Sequence, residues 1–182
     1  VLDSLMFGDD PIKDLREKKK IEVMVGDFRN VETLVGAMRD MDAVVHLGGI
    51  VGDPACALDD DFTIDVNLTA TTLVAETCKI FKIERFVFAS TCSVYGQAES
   101  GSLTEESALN PVSLYAKTKI ASERVLQEQT SLFFQPTILR FSTLFGLSPR
   151  PRFDLVVNIL TGKAITEKKI HVFGGQQWRP FV

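Results

Sequence analysis

The chain has 182 residues, 45% of them hydrophobic and 24% charged, with a formal net charge of −4. This composition suits one soluble globular domain able to bury a core without staples, and it offers no general basic field for nucleic acid. No apolar run approaches the roughly 18 residues of a membrane span, no secretory leader opens the chain, and three cysteines with two histidines form no zinc spacing, so a reducing, cytoplasmic setting is expected.

The chain opens on Val1-Leu2-Asp3 and closes on Arg179-Pro180-Phe181-Val182 inside an apolar stretch, so both ends read as cut. Ile21 to Val25 predicts a strand closed by Gly26-Asp27. Asn30 to Arg39 predicts a helix with Asn30 as its N-cap. Ala43 to Leu47 predicts the next strand, ended by Gly48-Gly49. A long helix is predicted from Asp60 to Phe81, a strand over Phe86 to Ser90, a helix from Ser113 to Gln129 and a strand over Thr137 to Phe141. Phe153 to Leu160 reads as helical, and Ile170 to Phe173 as a last short strand. Buried apolar strands separated by helices predict right-handed crossovers and a doubly wound parallel α/β sheet. In such sheets ligands bind beyond the carboxyl ends of the strands, where Asp3, Asp27, Gly48, Gly49, Ser90, Thr91 and Phe141 fall.

Tyr115 and Lys119 lie four residues apart on one predicted helix and therefore share a face. An ammonium beside a phenol favours the phenolate and lowers the phenol's pKa from about 10, which suits proton exchange with a hydroxyl near neutral pH. Alone, the pair also fits a surface helix with an exposed ring. Upstream, Ser90-Thr91-Cys92-Ser93-Val94-Tyr95-Gly96 ends a buried strand; alone, its hydroxyls also fit turn chemistry. His46 and His171 read as structural, and Tyr95 as packing at the rim of the site.

Taken in order, these segments resemble the extended short-chain dehydrogenase/reductase family, in its NAD-dependent sugar-nucleotide epimerase/dehydratase branch. The resemblance covers nearly the whole chain. It implies a Rossmann-type fold, with residues 1–145 as the NAD-binding domain and residues 146–182 as the start of a small substrate-binding region. It implies Thr91, Tyr115 and Lys119 as catalytic residues. Asp3 and Ser4 would meet the adenosine ribose, and Asp27 and Phe28 the adenine. Leu47, Gly48 and Gly49 would line the cofactor, joined by Asn67, Ser90, Tyr115, Lys119 and Phe141. Thr91, Thr143 and Arg179 would touch the nucleotide-sugar substrate, Thr143 standing where many relatives have asparagine. The family's glycine-rich first turn is absent from this sequence, since its place is on a strand before Val1, and Gly48 to Gly52 is not that turn.

Dehydratases of the branch carry an acid just after the catalytic threonine, because eliminating water requires a group to protonate the leaving hydroxyl. Here Cys92 and Ser93 hold those positions, which favours epimerisation. The Asp3 carboxylate would repel a 2′-phosphate, which favours NAD over NADP. The resemblance further implies a homodimer built on the helices near residues 60–81 and around Tyr115. Two alternatives are a reductase or dehydratase of a nucleotide sugar or other small carbonyl compound, and an inactive cofactor-binding regulatory module.

Overall fold

The computed structural model describes residues 1–96, 102–174 and 180–182. They form two compact units, one made of residues 1–6 and 23–140 and the other of residues 7–22 and 141–182.

In the first unit, β1 (Leu2–Asp3) pairs in parallel with β2 (Met24–Val25). Strands β3 (Ala43–His46), β4 (Arg85–Thr91) and β5 (Gln135–Phe141), whose last residue is counted with the second unit, lie in that order in a second sheet, with β3 and β4 parallel and His46 opposite Phe88. The parallel α/β architecture is therefore present, but the single expected sheet is divided between a two-stranded and a three-stranded one. The expected strand over Ile21 to Val25 is reduced to its last two residues.

Local chemistry accounts for the helices. Asn30 Oδ1 accepts the Thr33 N–H at 2.9 Å and starts α2 (Val31–Met38). Ser113 Oγ does the same for the Ala116 N–H at 3.3 Å and starts α6 (Leu114–Glu128). A short α3 (Asp53–Cys56) follows the turn after β3. The long helix expected from Asp60 is α4 (Asp60–Ile64), capped by Asp59, then a π-helical turn over Asp65–Thr69, then α5 (Ala70–Ile80). The core gathers Leu34 and Met38 of α2, Val74, Ala75 and Cys78 of α5, Phe86 and Phe88 of β4, and Leu126 of α6.

The second unit carries α1 (Lys13–Glu17) and α7 (Val156–Thr166). The helix expected from Phe153 thus begins three residues later, after an extended Leu155. Ile170 to Phe173 is not a strand, and Ile170, Val172 and Phe173 are 50%, 63% and 88% exposed. Thr143 instead forms a parallel bridge with Phe181. Among the described residues no helix is long and apolar enough to cross a membrane, and no group of His, Cys, Asp and Glu could hold a metal ion.

Candidate active site

The candidate site lies in the first unit, where α6 meets the carboxyl end of β4. Lys119 is 3% exposed, and its Nζ donates to the Ala89 carbonyl at 2.9 Å. The same ammonium stands 4.6 Å from the centre of the Phe88 ring and 5.8 Å from that of Tyr115, close enough for both π faces to attract it. Burial pulls the Lys119 pKa down to about 8, against Cys56, when ionised as a thiolate, and Glu123, whose negative charge favours the ammonium. Tyr115 is half-buried. Thr91 is buried at the last position of β4, and its Oγ1 accepts the Ser93 N–H at 3.1 Å. The three residues expected to be catalytic therefore come from one strand end and the first turns of one helix.

The turn after β3 lies beside them. Asn67, at the centre of the π turn and 1% exposed, grips the Ile50 main chain from both sides. Its Oδ1 accepts the Ile50 N–H at 2.7 Å, and its Nδ2 donates to the Ile50 carbonyl at 2.9 Å. A Cβ on Gly49, whose φ is +156°, would come within 2.9 Å of Asn67 Oδ1 and 3.8 Å of Lys119 Nζ. A Cβ on Gly48 would meet the Phe28 ring at 2.9 Å. Only glycine lets this backbone pass so close to the clamp, the ring and the lysine. Leu47, just before the turn, is 66% exposed.

Three expected cofactor residues are engaged elsewhere. Ser90 is buried and donates its hydroxyl to Glu123, because side chains alternate along β4 and Ser90 shares the inner face of Phe86 and Phe88. Asn67 holds the turn with its own amide. The Asp27 carboxylate is gripped by Arg29, whose Nη2 donates to Oδ2 at 2.6 Å and whose main-chain N–H donates to Oδ1 at 2.9 Å. This pairing holds the Asp27 pKa below the ordinary carboxylate value. Arg29 also bonds Asp65 at 2.9 Å and stacks 4.8 Å from the Phe62 ring centre, tying the turn after β2 to the start of the π turn.

The remaining positions are simpler. Asp3 and Ser4 are exposed at the end of β1, with Asp3 Oδ1 accepting the Leu5 N–H at 2.7 Å. Phe28 is half-buried, its ring edge-on to His46 at 5.3 Å. Phe141 and Thr143 belong to the second unit, where the Thr143 N–H donates to the Pro180 carbonyl at 3.0 Å. Arg179 lies outside the described residues.

His46 is structural, as expected. It is 6% exposed and surrounded by Phe28, Phe86 and Phe88, and burial together with the Lys119 charge lowers its pKa to about 3. Tyr95 is more interior than expected, 9% exposed with its hydroxyl accepting from Arg140 at 2.9 Å. Glu123, Arg140 and Arg29 drew no role from the sequence. Glu123 had a readable signal, since Tyr115, Lys119 and Glu123 repeat every fourth residue along one helix face.

This parallel α/β unit, with Thr91, Tyr115 and Lys119 near one strand end, is similar to known enzymes. The chain belongs to the NAD dependent epimerase/dehydratase family, which it matches over residues 9–182. It is 31% identical over 173 residues to an uncharacterized UDP-glucose epimerase, YtcB, of Bacillus subtilis, covering 93% of this chain and 54% of that one. It is similar in structure to the UDP-glucuronic acid 4-epimerase of Bacillus cereus, solved in complex with UDP-glucuronic acid and NAD. The TM-score is 0.81 at 27% identity, over 99% of this chain and 59% of that one. The fold is also that of DesIV, a dTDP-glucose 4,6-dehydratase of Streptomyces venezuelae, with a TM-score of 0.82 at 24% identity over 92% of this chain and 52% of that one. The chain thus spans about half the length of the curated relatives it matches.

Proposed function

We propose that this chain is the cofactor-side part of an NAD-dependent epimerase acting on a nucleotide-linked sugar. The observation that carries the reading is the buried Lys119 ammonium, 5.8 Å from the centre of the Tyr115 ring, at the strand end that presents Thr91. The residues present fit the cofactor. The Gly48-Gly49 turn brings bare backbone beside the lysine, and the exposed Asp3 carboxylate suits ribose hydroxyls while disfavouring a 2′-phosphate. Bound NAD would accept a hydride from the sugar carbon and return it.

The chain's own residues handle the proton and the geometry. Tyr115, beside the Lys119 ammonium, takes the proton of a sugar hydroxyl, at C4 by the family resemblance. Thr91 hydrogen-bonds the same oxygen and fixes its distance from Tyr115. Lys119 would hold the nicotinamide ribose and would keep positive charge beside Tyr115. Tyr115 returns the proton once the keto sugar has turned its other face. Cys92 and Ser93 offer no carboxyl group to protonate a leaving hydroxyl, which supports epimerisation over dehydration. The dimer implied by the family resemblance belongs to the same reading.

The test is turnover of UDP-sugars by the protein carrying this chain, followed by NMR of the sugar protons. Interconversion of C4 epimers without net consumption of cofactor is expected. Tyr115→Phe should lower kcat by at least about 10³-fold, as loss of a general base together with its hydrogen bond does. A product lighter by one water would establish dehydration instead, and unchanged turnover in Tyr115→Phe would remove the catalytic assignment.

A further inference from the structure

Behind the three proposed catalytic residues lies a second charged set, all of it in the first unit. Glu123 is 2% exposed, one helical turn beyond Lys119 on the same face. It accepts the hydroxyl of Ser90, the neighbour of Thr91 on β4. Arg140 of β5 grips its carboxylate, with Nη2 to Oε2 at 2.7 Å and Nε to Oε1 at 3.1 Å. Arg140 Nη1 reaches on to the Tyr95 hydroxyl at 2.9 Å and the Glu105 carbonyl at 3.1 Å. One carboxylate therefore ties α6 to the strand that ends in Thr91 and to the strand beside it.

A buried ion pair is weak support for stability, because desolvating both charges offsets their attraction. Its position suggests another task. The Lys119 ammonium donates to a neutral carbonyl and lies over the Phe88 ring, so its charge depends on what surrounds it. The groups around it are His46 from β3, Cys56 from α3, and Tyr115 and Glu123 from its own helix, and Glu123 is in turn paired with Arg140 from β5. Burial keeps His46 neutral at ordinary pH and raises the Cys56 thiol, which therefore also stays neutral. Glu123 is left as the buried counter-charge, and it is shared with Arg140.

We propose that Glu123 and Arg140 are positioning residues, a counter-charge pair whose balance sets how much positive charge Lys119 presents to Tyr115. The more firmly Arg140 holds Glu123, the less of that carboxylate's field is left for Lys119. The pair's significance rests on the proposed function, but its test does not. The Lys119 side chain can be titrated in the protein by 13C NMR of its ε-carbon, with or without turnover.

Glu123→Gln should lower the Lys119 midpoint by about one pH unit, as removing one nearby buried charge does. Arg140→Gln should raise it by a similar amount, and Arg140→Lys, which keeps the charge, should hold it within about 0.5 unit. A purely structural pair would lower thermal stability in these variants and leave the titration in place. If Glu123→Gln does not fold, the two Arg140 variants carry the test. A Lys119 midpoint unmoved in folded Arg140→Gln, or moved downward, overturns the proposal. Failure of the epimerase assay with the midpoints shifted as stated would overturn the proposed function and leave the pair intact.

Discussion

Replacing His46 with phenylalanine should flatten the acid limb of the protein's stability curve. In the folded chain the imidazole is 6% exposed, with Phe28, Phe86 and Phe88 around it, and its pKa is lowered to about 3. In the unfolded chain it titrates near the ordinary value of about 6.5. The group is depressed on folding, so its contribution is present above about pH 6.5 and is lost as pH falls toward the folded value. Between about pH 6.5 and about pH 4.5 the unfolded chain takes up a proton that the folded chain refuses. At about 1.4 kcal/mol per unit, this removes about 2.7 kcal/mol. Phenylalanine keeps the aromatic packing but removes the 3.0 Å hydrogen bond between His46 Nε2 and Thr71 Oγ1, at a cost of about 1 kcal/mol. Thr71 still donates to the Asn67 carbonyl at 2.8 Å, so its hydroxyl is not stranded. The wild-type chain should therefore be the more stable near neutrality, and His46→Phe the more stable below about pH 6. Urea titrations of both proteins across this range measure the difference, and carboxylates titrating in both cancel. Parallel curves would show that the imidazole is protonated in place and would refute the reasoning.

Two further perturbations probe the scaffold. Asn67→Ala leaves both the N–H and the carbonyl of half-buried Ile50 without their partner, so it should destabilise by about 2 kcal/mol in denaturant titration, with proteolysis of the Gly48-Gly49 turn accelerated. Arg29→Ala removes two ion pairs whose side chains are between 33% and 49% exposed, so screening limits the cost to about 1 kcal/mol. The gap between Arg29→Ala and wild type should shrink in high salt; a gap insensitive to salt would assign the loss to the Phe62 stacking instead.

The legible parts of this molecule were those written locally. Asn30 and Ser113 cap helices through side chains that reach only three residues ahead; the sequence marks Asn30 as a cap and Ser113 as the start of its helix. Tyr115 and Lys119 announced a shared face by spacing alone. Non-local facts were less legible. Arg140 and Glu123 lie on different elements 17 residues apart, and nothing near either one signals the other. Ser90 and Thr91 are chemically alike, and only the phase of β4 sends one inward to Glu123 and leaves the other to cap the next turn. The apolar run Ile170 to Phe173 has a strand's composition but no strand partner among the described residues, which composition cannot reveal. The Asp27–Arg29 pairing did carry a local clue, since the arginine that bonds its carboxylate stands two residues away.

The π turn at Asp65–Thr69 fixes a phase. A π turn holds one residue more than the α turn it replaces, so everything after it is rotated by about 100° from where an unbroken helix would put it. With that offset, Asn67 aims at Ile50 while Ala70, Val74, Ala75 and Cys78 all remain in the interior. Deleting one residue here would let the hydrogen-bond ladder close into a regular α-helix, which is locally the more comfortable state. The repaired helix could then keep its apolar stripe inside or keep its asparagine on the turn, but not both. The irregularity works as a vernier between two halves of one helix, and a length change of a single residue at this place would be read out in the turn after β3 rather than in helix content.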